Sequence, residues 1–290
     1  MADAGSPLRA SAARTRQRLR GNRLATVGLV ILSGTLIVAA LAPLIAPYQV
    51  DAMGVGDRLA GPSLAHPFGT DRYGRDLFSR VVMGTRIAAT VALSVPALAA
   101  AIGVPVGLFA ADRQGLIGAG LMRVMDALFA FPAVLLGLTL VAVFGQSLTN
   151  IVVALAIVFV PQFARVTRSA AVEVVEDAHV AAARAMGASR ARVLAVHVFP
   201  FCLSAVLVQA STTAGLAIIL ESSLSFLGVG VPPPRPSWGT MLRAGKGFLE
   251  TAPWYSAFPG LAIVVTVMGF NLLGDGLRDA FDPRSGGGRF

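Results

Sequence analysis

The sequence has few charged residues for its length. They make up 13% of the 290 residues, whereas hydrophobic residues make up 55%. Soluble domains carry about 25% charged residues, so a soluble chain of this size would lack the polar side chains to cover its surface. Disordered chains have far less apolar content. The composition therefore indicates an all-α membrane protein that spans the bilayer several times.

Side chains that build catalytic or metal centres are also scarce. Cys202 is the single cysteine, which excludes an intrachain disulfide and a cysteine-based metal site. The histidines, His66, His179 and His197, lie in separate segments. No glycine-rich loop ending in Lys-Ser/Thr is present to hold a nucleotide phosphate. We therefore expect no catalytic, metal-binding or cofactor-binding residue, and no enzyme activity in this chain.

Long runs without a charged residue predict the membrane spans. They cover residues 24–50, 87–111, 127–164, 193–220 and 251–274, and the third is divided by a polar stretch near 145–150. About 20 apolar residues cross a bilayer as a helix, and strands of a membrane barrel would instead alternate in segments of about ten. Six helical spans follow, at roughly 24–46, 86–110, 122–144, 149–166, 198–220 and 257–277.

The distribution of basic residues predicts the orientation in the membrane. Of the 24 Lys and Arg residues, 16 fall in segments that are cytoplasmic if both termini are inside. Cytoplasmic loops carry the excess of Lys and Arg, so we expect both ends in the cytoplasm of a cell-membrane protein surrounded by lipid. The net charge of +9 has no basic run interleaved with aromatic residues, so no nucleic acid is expected.

This topology divides the chain into four parts. They are a basic cytoplasmic tail at 1–23, a first helix with its external loop at 24–85, a core of five spans at 86–284 with a cytoplasmic coupling loop at 166–197, and a tail at 285–290. In the second external segment, Ser237 is expected to begin a short helix. Trp238 and Trp254 are expected at the membrane interface.

The cytoplasmic segment before the fifth span predicts a short helix and a tight corner. Glu173, Glu176 and Asp177 are expected in its first turns and Arg184 in its last, where each charge complements the helix dipole. The alanines Ala181, Ala182, Ala183 and Ala185 favour helix and permit close approach by a partner. Gly187 is placed to end the helix in a left-handed conformation, and Ser189 to begin the next. The product is either a rigid elbow that passes motion into the membrane or an ordinary connector.

The stretch from Ala182 to Ser189, followed by His197 and Pro200, resembles the EAA loop of ABC importer permeases. Further blocks resemble the dipeptide, oligopeptide and nickel branch of that family. They are residues 66–80 (HPFGTDRYGRDLFSR), 221–228 (ESSLSFLG), 236–239 (PSWG) and 271–284 (NLLGDGLRDAFDPR). The blocks follow one another in the family's order, and the resemblance as a whole runs from about residue 20 to residue 284. The chain looks like the second permease subunit of that branch.

The resemblance implies the MetI-like fold of binding-protein-dependent permeases and a set of partners. These are a homologous permease, two cytoplasmic ATPases that hold the ATP and Mg, and an extracytoplasmic binding protein. The ATPase-coupling residues would be Glu176, Asp177, Ala181, Ala182, Ala183, Arg184, Gly187, Ala188 and Ser189. Ala181 occupies the position of the family's glutamate, so Glu176 or Asp177 would supply the acid.

Two further acids are candidates for structural or gating roles. Asp126 lies beside Arg123 near the cytoplasmic end of the third span, where an ion pair or a helix-packing role is expected. Glu221 ends the fifth span, where it would form an outer-gate or loop-anchoring hydrogen bond or, alternatively, contact the substrate directly. The resemblance implies import of di- or oligopeptides, with nickel or another metal chelate as the alternative. An ATP-independent secondary transporter would need an internal repeat and midplane ion-binding residues, which the sequence does not display.

Overall fold

The computed structural model of the protein describes residues 23–281, so the predicted tails lie outside it except for Arg23. Within this range the chain is helical, and its β pairing is confined to one isolated bridge between Thr70 and Asp76. The α-helices of the described range are α1 Arg23–Ile45, α2 Leu77–Asp112, α3 Leu116–Phe129, α4 Ala133–Phe144, α5 Leu148–Val175, α6 Ala178–Ala185, α7 Arg190–Arg192, α8 Phe199–Leu227, α9 Trp238–Gly245 and α10 Trp254–Phe281. A π-helix, Val193–Val198, joins α7 to α8.

Five helical stretches in the described range are long and apolar enough to cross a membrane. They are α1, α2, α5, the stretch Arg190–Leu227 and α10. The pair α3 and α4 adds a sixth if it is counted as one span, but its halves are bent by 89°. The all-α, multi-span prediction is confirmed, whereas a straight third span at 122–144 is not formed. Pro132 stands at the break, since it has no backbone N–H to continue the helix from α3.

Several spans are longer than their apolar runs. α2 begins at Leu77 rather than near 86, because the Asp76 carboxylate caps it by accepting a hydrogen bond from the Ser79 N–H at 2.7 Å. α5 continues to Val175 rather than ending near 166. Helical hydrogen bonding does not require apolar side chains, so a helix extends past the apolar run until a cap or turn ends it.

Glycines on α2 bring that helix close to α5. A Cβ added at Gly103 would lie 2.6 Å from the Val160 carbonyl oxygen, and one at Gly107 would overlap the Ala164 carbonyl. Small residues at this spacing let membrane helices pack backbone to backbone. The contact between α2 and α5 therefore depends on the missing side chains and forms the centre of the bundle.

The first span packs against the last in the same way, through glycines at the helix contact. A Cβ at Gly28 of α1 would lie 2.7 Å from the Leu273 backbone nitrogen of α10, and one at Gly276 would overlap Ala25. The first and last spans are thus neighbours, although nearly the whole described chain separates them.

The loop between α1 and α2 is a hydrogen-bonded structure. His66 Nδ1 lies 2.9 Å from the Asp76 carboxylate. The buried Asp71 carboxylate accepts hydrogen bonds from the N–H groups of Tyr73 and Arg75, at 2.7 and 3.0 Å, and pairs with the Arg75 guanidinium at 2.6 Å. Buried carboxylates with several donors hold a loop rigidly. This loop, together with residues 228–253, forms what we call the long-loop end of the bundle.

Trp238, expected at the membrane interface, is instead a core residue. It is 3% exposed, and its indole N–H donates to the Val81 carbonyl at 2.9 Å. The indole passes over Gly84 of α2, where a Cβ would lie 2.9 Å from the ring. As expected, Ser237 begins α9, and it does so with a capping box shared with Thr240. Together these contacts fasten α9 to the first turns of α2.

Candidate coupling site

The predicted elbow is formed by α6, the turn after it and the π-helix that leads into α8. Gly187 has φ +82°, its N–H donates to the Arg184 carbonyl at 3.0 Å, and the Ala188 N–H donates to the Ala183 carbonyl at 3.1 Å. These two bonds define a Schellman turn, which places its glycine in the left-handed region. The prediction that Gly187 ends the helix is therefore confirmed.

The acids before α6 are placed differently from the prediction. Glu173 belongs to the last turn of α5, Glu176 caps the C-terminus of that helix, and only Asp177 stands at the start of α6. The reason is that α5 runs to Val175, which moves the start of α6 toward the C-terminus. The Glu176 carboxylate instead accepts a hydrogen bond from the Gln114 side chain at 3.1 Å. Glu176 thereby ties the elbow to the turn between α2 and α3.

The two faces of α6 differ in burial. Val180 is fully buried and Ala183 is 2% exposed, and both join the main hydrophobic core. Ala181 and Ala182 are exposed on the other side, and Met186 after the helix is 82% exposed. Small side chains leave the backbone of this outer face open to close approach, and methionine adapts its shape to a partner. We call this outer face, with Met186, the alanine face.

Asp112, at the end of α2, holds both sides of the turn at Gly187. Its carboxylate pairs with Arg184 of α6 at 2.9 Å and lies 3.7 Å from the guanidinium of Arg190 in α7. The Asp112 side chain is 8% exposed. Asp112 was not predicted as a site residue, because its partners follow it in the sequence by more than 70 positions. Its position as the first charge after an apolar run was the one available signal.

A second set of contacts joins α6 to the entrance of α8. Ser189 caps α7 by accepting a hydrogen bond from the Arg192 N–H at 3.4 Å, as predicted. The His179 ring on α6 donates from Nε2 to the His197 carbonyl at 3.2 Å and packs against Phe201 with ring centroids 5.3 Å apart. The carbonyl belongs to the π-helix Val193–Val198, and π-helical turns frequently mark functional sites. Displacement of α6 would therefore act directly on the start of α8.

The two acids that were candidates for structural or gating roles lie elsewhere. Asp126 pairs with Arg165 of α5 at 2.8 Å rather than with Arg123, and both side chains are about half exposed. Glu221 lies at the long-loop end, is 3% exposed and accepts a hydrogen bond from the Ser225 hydroxyl at 2.7 Å. A Cβ at Gly239 of α9 would overlap the Ser222 carbonyl. Glu221 thus stands beneath the contact of α9 with α8, which fits loop anchoring.

Family comparisons agree with this architecture. A model described as "Binding-protein-dependent transport system inner membrane component" matches residues 103–286. A second model, described as "N-terminal TM domain of oligopeptide transport permease C", matches residues 12–62.

Curated relatives match over most of their length. The dipeptide transport system permease protein DppC of Alkalihalophilus pseudofirmus is 40% identical over 92% of this chain and 88% of its own. The glutathione transport system permease protein GsiD of Pectobacterium atrosepticum is 41% identical over 93% and 89%. Among solved structures, the MetNI methionine ABC transporter in an inward-facing conformation matches with a TM-score of 0.57 and 18% identity. That match covers 70% of this chain and 97% of the other, and shows likeness of fold.

Proposed function

The chain belongs to the family of binding-protein-dependent transport system inner membrane components, and on that premise we propose that it forms half of the pore of an ATP-driven importer of small peptides. Its partners in this proposal are a homologous permease, two cytoplasmic ATPases and an extracytoplasmic binding protein. ATP and Mg belong to the ATPases, and this chain performs no catalysis.

The observation that carries the proposal is the elbow. The alanine face is open to a partner, while the opposite side of α6 is held by Val180 and Ala183 in the core. A helix with one buried and one open face is suited to dock in a cleft of one ATPase. When the ATPases bind ATP and close, they would move α6. The contacts of Asp112 and His179 would pass this movement to α2 and α8. Hydrolysis would return the helices to the inward-open arrangement.

Peptides are the proposed substrates because the relatives described above are named for dipeptide and glutathione transport, and glutathione is itself a small peptide. The nickel or metal-chelate alternative has no comparable observation in its favour. The proposed orientation has both termini in the cytoplasm. The elbow then faces the ATPases and the long-loop end faces the binding protein.

Reconstitution tests this function. The chain is purified with its partner permease, the ATPases and the binding protein, and the uptake of a radiolabelled dipeptide into ATP-loaded liposomes is measured. We expect uptake that requires ATP and every subunit, and neither uptake nor ATP hydrolysis from this chain alone. Uptake by the isolated chain, driven by an ion gradient, would instead make it a secondary transporter.

A further inference from the structure

A cavity of about 700 Å³ opens at the long-loop end of the bundle. It lies between the end of α8, the proline-rich loop that follows and α9, and Gln146 from the turn before α5 also lines it. Sites for small molecules have volumes of about 300–1,000 Å³. The volume of the cavity is therefore suited to a small ligand, whereas a protein partner would dock on a flatter surface.

Three cations line this cavity, and no carboxylate does. Arg72 comes from the loop before α2, whereas Arg243 and Lys246 come from α9 and the turn after it. Among the described residues, none of the three has an acidic group within 4 Å to neutralise it. Unpaired cations that converge on one concavity create a positive potential that attracts anions. Lys and Arg are the minority on the proposed outer side, so three of them on one cavity there form a local cluster.

The positions of the cations are held by their surroundings. The Arg243 guanidinium lies over Gly228, at the end of α8, where an added Cβ would overlap it. Gly228 has φ +98°, so its own turn also requires glycine. The Arg72 guanidinium lies 4.6 Å from the centroid of the Tyr73 ring, and Lys246 Nζ lies 5.7 Å from that of Phe226. Cations supported in this way lose less freedom when they bind a ligand.

The rest of the lining offers both polar and apolar contacts. Gln146 and Thr240 also line the cavity. The Gln146 side-chain N–H donates to the Gly228 carbonyl at 3.3 Å, and its amide oxygen is the remaining polar group, because the Thr240 hydroxyl is used in the capping box of α9. Val231, Pro232 and Phe248 present apolar surface. An amide oxygen can accept from a peptide N–H, and apolar surface fits the side chains of a peptide. A guanidinium binds a carboxylate through two parallel hydrogen bonds.

We propose that this cavity binds the C-terminal carboxylate of a small peptide through Arg72, Arg243 and Lys246, before the peptide enters the pore. The inference rests on the proposed function, which supplies the peptide. The cavity binds the substrate by its carboxylate first, so a peptide whose C-terminus is an amide binds it weakly. It also makes this chain, as well as the binding protein, a determinant of selectivity.

The test uses the membrane complex of both permeases and both ATPases, in nanodiscs of zwitterionic lipid. The binding protein is left out, so that neither acidic lipid nor the binding protein contributes. Binding of isotope-labelled Ala-Phe and of its C-terminal amide is measured by equilibrium dialysis. Arg243→Gln and Lys246→Gln are compared with Arg235→Gln, an exposed cation of the same external segment that does not line the cavity. We expect each cavity variant to weaken binding of Ala-Phe about tenfold, the value of one charge-assisted hydrogen bond. The amide should bind weakly to all forms, and Arg235→Gln should behave as wild type.

Three outcomes would overturn the inference. Equal binding of the acid and the amide to wild type would show that the carboxylate is not recognised. Normal binding of Ala-Phe by the cavity variants would show that these cations do not bind the carboxylate. If the variants weaken only the docking of the binding protein, measured by surface plasmon resonance, the cavity is a protein-docking site instead. Failure of the wild-type importer to take up peptide in the full assay would count against the proposed function instead. Normal subunit yield and size-exclusion profiles check that each variant is folded.

Discussion

The carboxylate of Asp112 and the guanidinium of Arg184 lie 2.9 Å apart, although 72 positions separate them in the sequence. The first ends α2 and the second belongs to the last turn of α6. Arg190, on the far side of the turn at Gly187, approaches the same carboxylate at 3.7 Å. The Asp112 carboxylate therefore contacts both sides of the turn from the end of a membrane span, and in the proposed mechanism it would pass movement of α6 to α2.

Replacing Asp112 with asparagine is expected to uncouple transport more than it destabilises the subunit. The Asp112 side chain is 8% exposed, but its partner Arg184 is 43% exposed, so the guanidinium left without a carboxylate can be solvated. An ion pair with one solvent-exposed partner contributes about 1 kcal/mol or less. The subunit should therefore accumulate normally, while ATP-driven uptake falls and the basal ATPase activity of the complex persists. Uptake and ATP hydrolysis are measured together in proteoliposomes.

The matched control for this prediction is Asp126→Asn. That residue forms an ion pair of similar length with Arg165, but away from the elbow. If both variants lose uptake to the same degree, the effect of Asp112 is a general effect of charge rather than of coupling.

Gly187→Val should impair coupling without disturbing membrane insertion. No other group lies within 4 Å of an added Cβ, so the cost is the left-handed backbone at φ +82°, about 1–2 kcal/mol for a residue with a side chain. The chain can relieve that strain by turning α6, which displaces the alanine face. We expect normal subunit levels, weaker copurification of the ATPases and reduced uptake, with partial recovery in Gly187→Asn, since asparagine tolerates this conformation better.

A suitable control is Gly120→Val on α3, where an added Cβ also has nothing within 4 Å and the backbone is helical. Gly118 in the neighbouring turn is unsuitable, because a Cβ there would lie 2.6 Å from the Ala110 carbonyl. Full uptake by Gly187→Val would mean that the elbow is only a connector.

Gly107→Val is expected to destabilise the subunit itself. The added side chain would meet the Ala164 carbonyl and the Thr167 side chain, so α2 and α5 must separate. Overpacking of this kind costs about 1–3 kcal/mol. The measurement is the midpoint of thermal aggregation in detergent, which should fall for Gly107→Val and stay at the wild-type value for Gly34→Val on α1, where an added Cβ is unopposed. An unchanged midpoint in both would contradict the close packing of these helices.

The proposed orientation predicts which positions react with a membrane-impermeant maleimide. Cys202 is fully buried and is first replaced by alanine. A cysteine at Leu64, which is fully exposed in the loop before α2, should be labelled on intact cells. A cysteine at Leu116, 93% exposed at the opposite end, should be labelled only after permeabilisation. The reverse pattern would invert the topology and place the elbow outside.

The membrane class and most features of the elbow are readable from the sequence, whereas helix ends are less so. Gly187 ends its helix and Ser189 begins the next, because left-handed turns and side-chain caps are local properties of the chain. Glu173 and Glu176 were misassigned to the start of α6 because α5 extends beyond its apolar run, where its core contacts, such as Val175, continue. Trp238 was misplaced because an interfacial and a buried tryptophan have the same local sequence pattern.

The sequence by itself determined the class of protein, the order of its spans and the turn at Gly187, because run length, charge spacing and glycine's conformational freedom act over a few residues. Only the tertiary structure decided which distant groups meet. Packing of α2 on α5 and α8 brings Asp112 to Arg184, and the folded long-loop end brings Arg72 to Arg243 and Lys246. These contacts depend on how helices far apart in the chain pack together, and no local pattern encodes that arrangement.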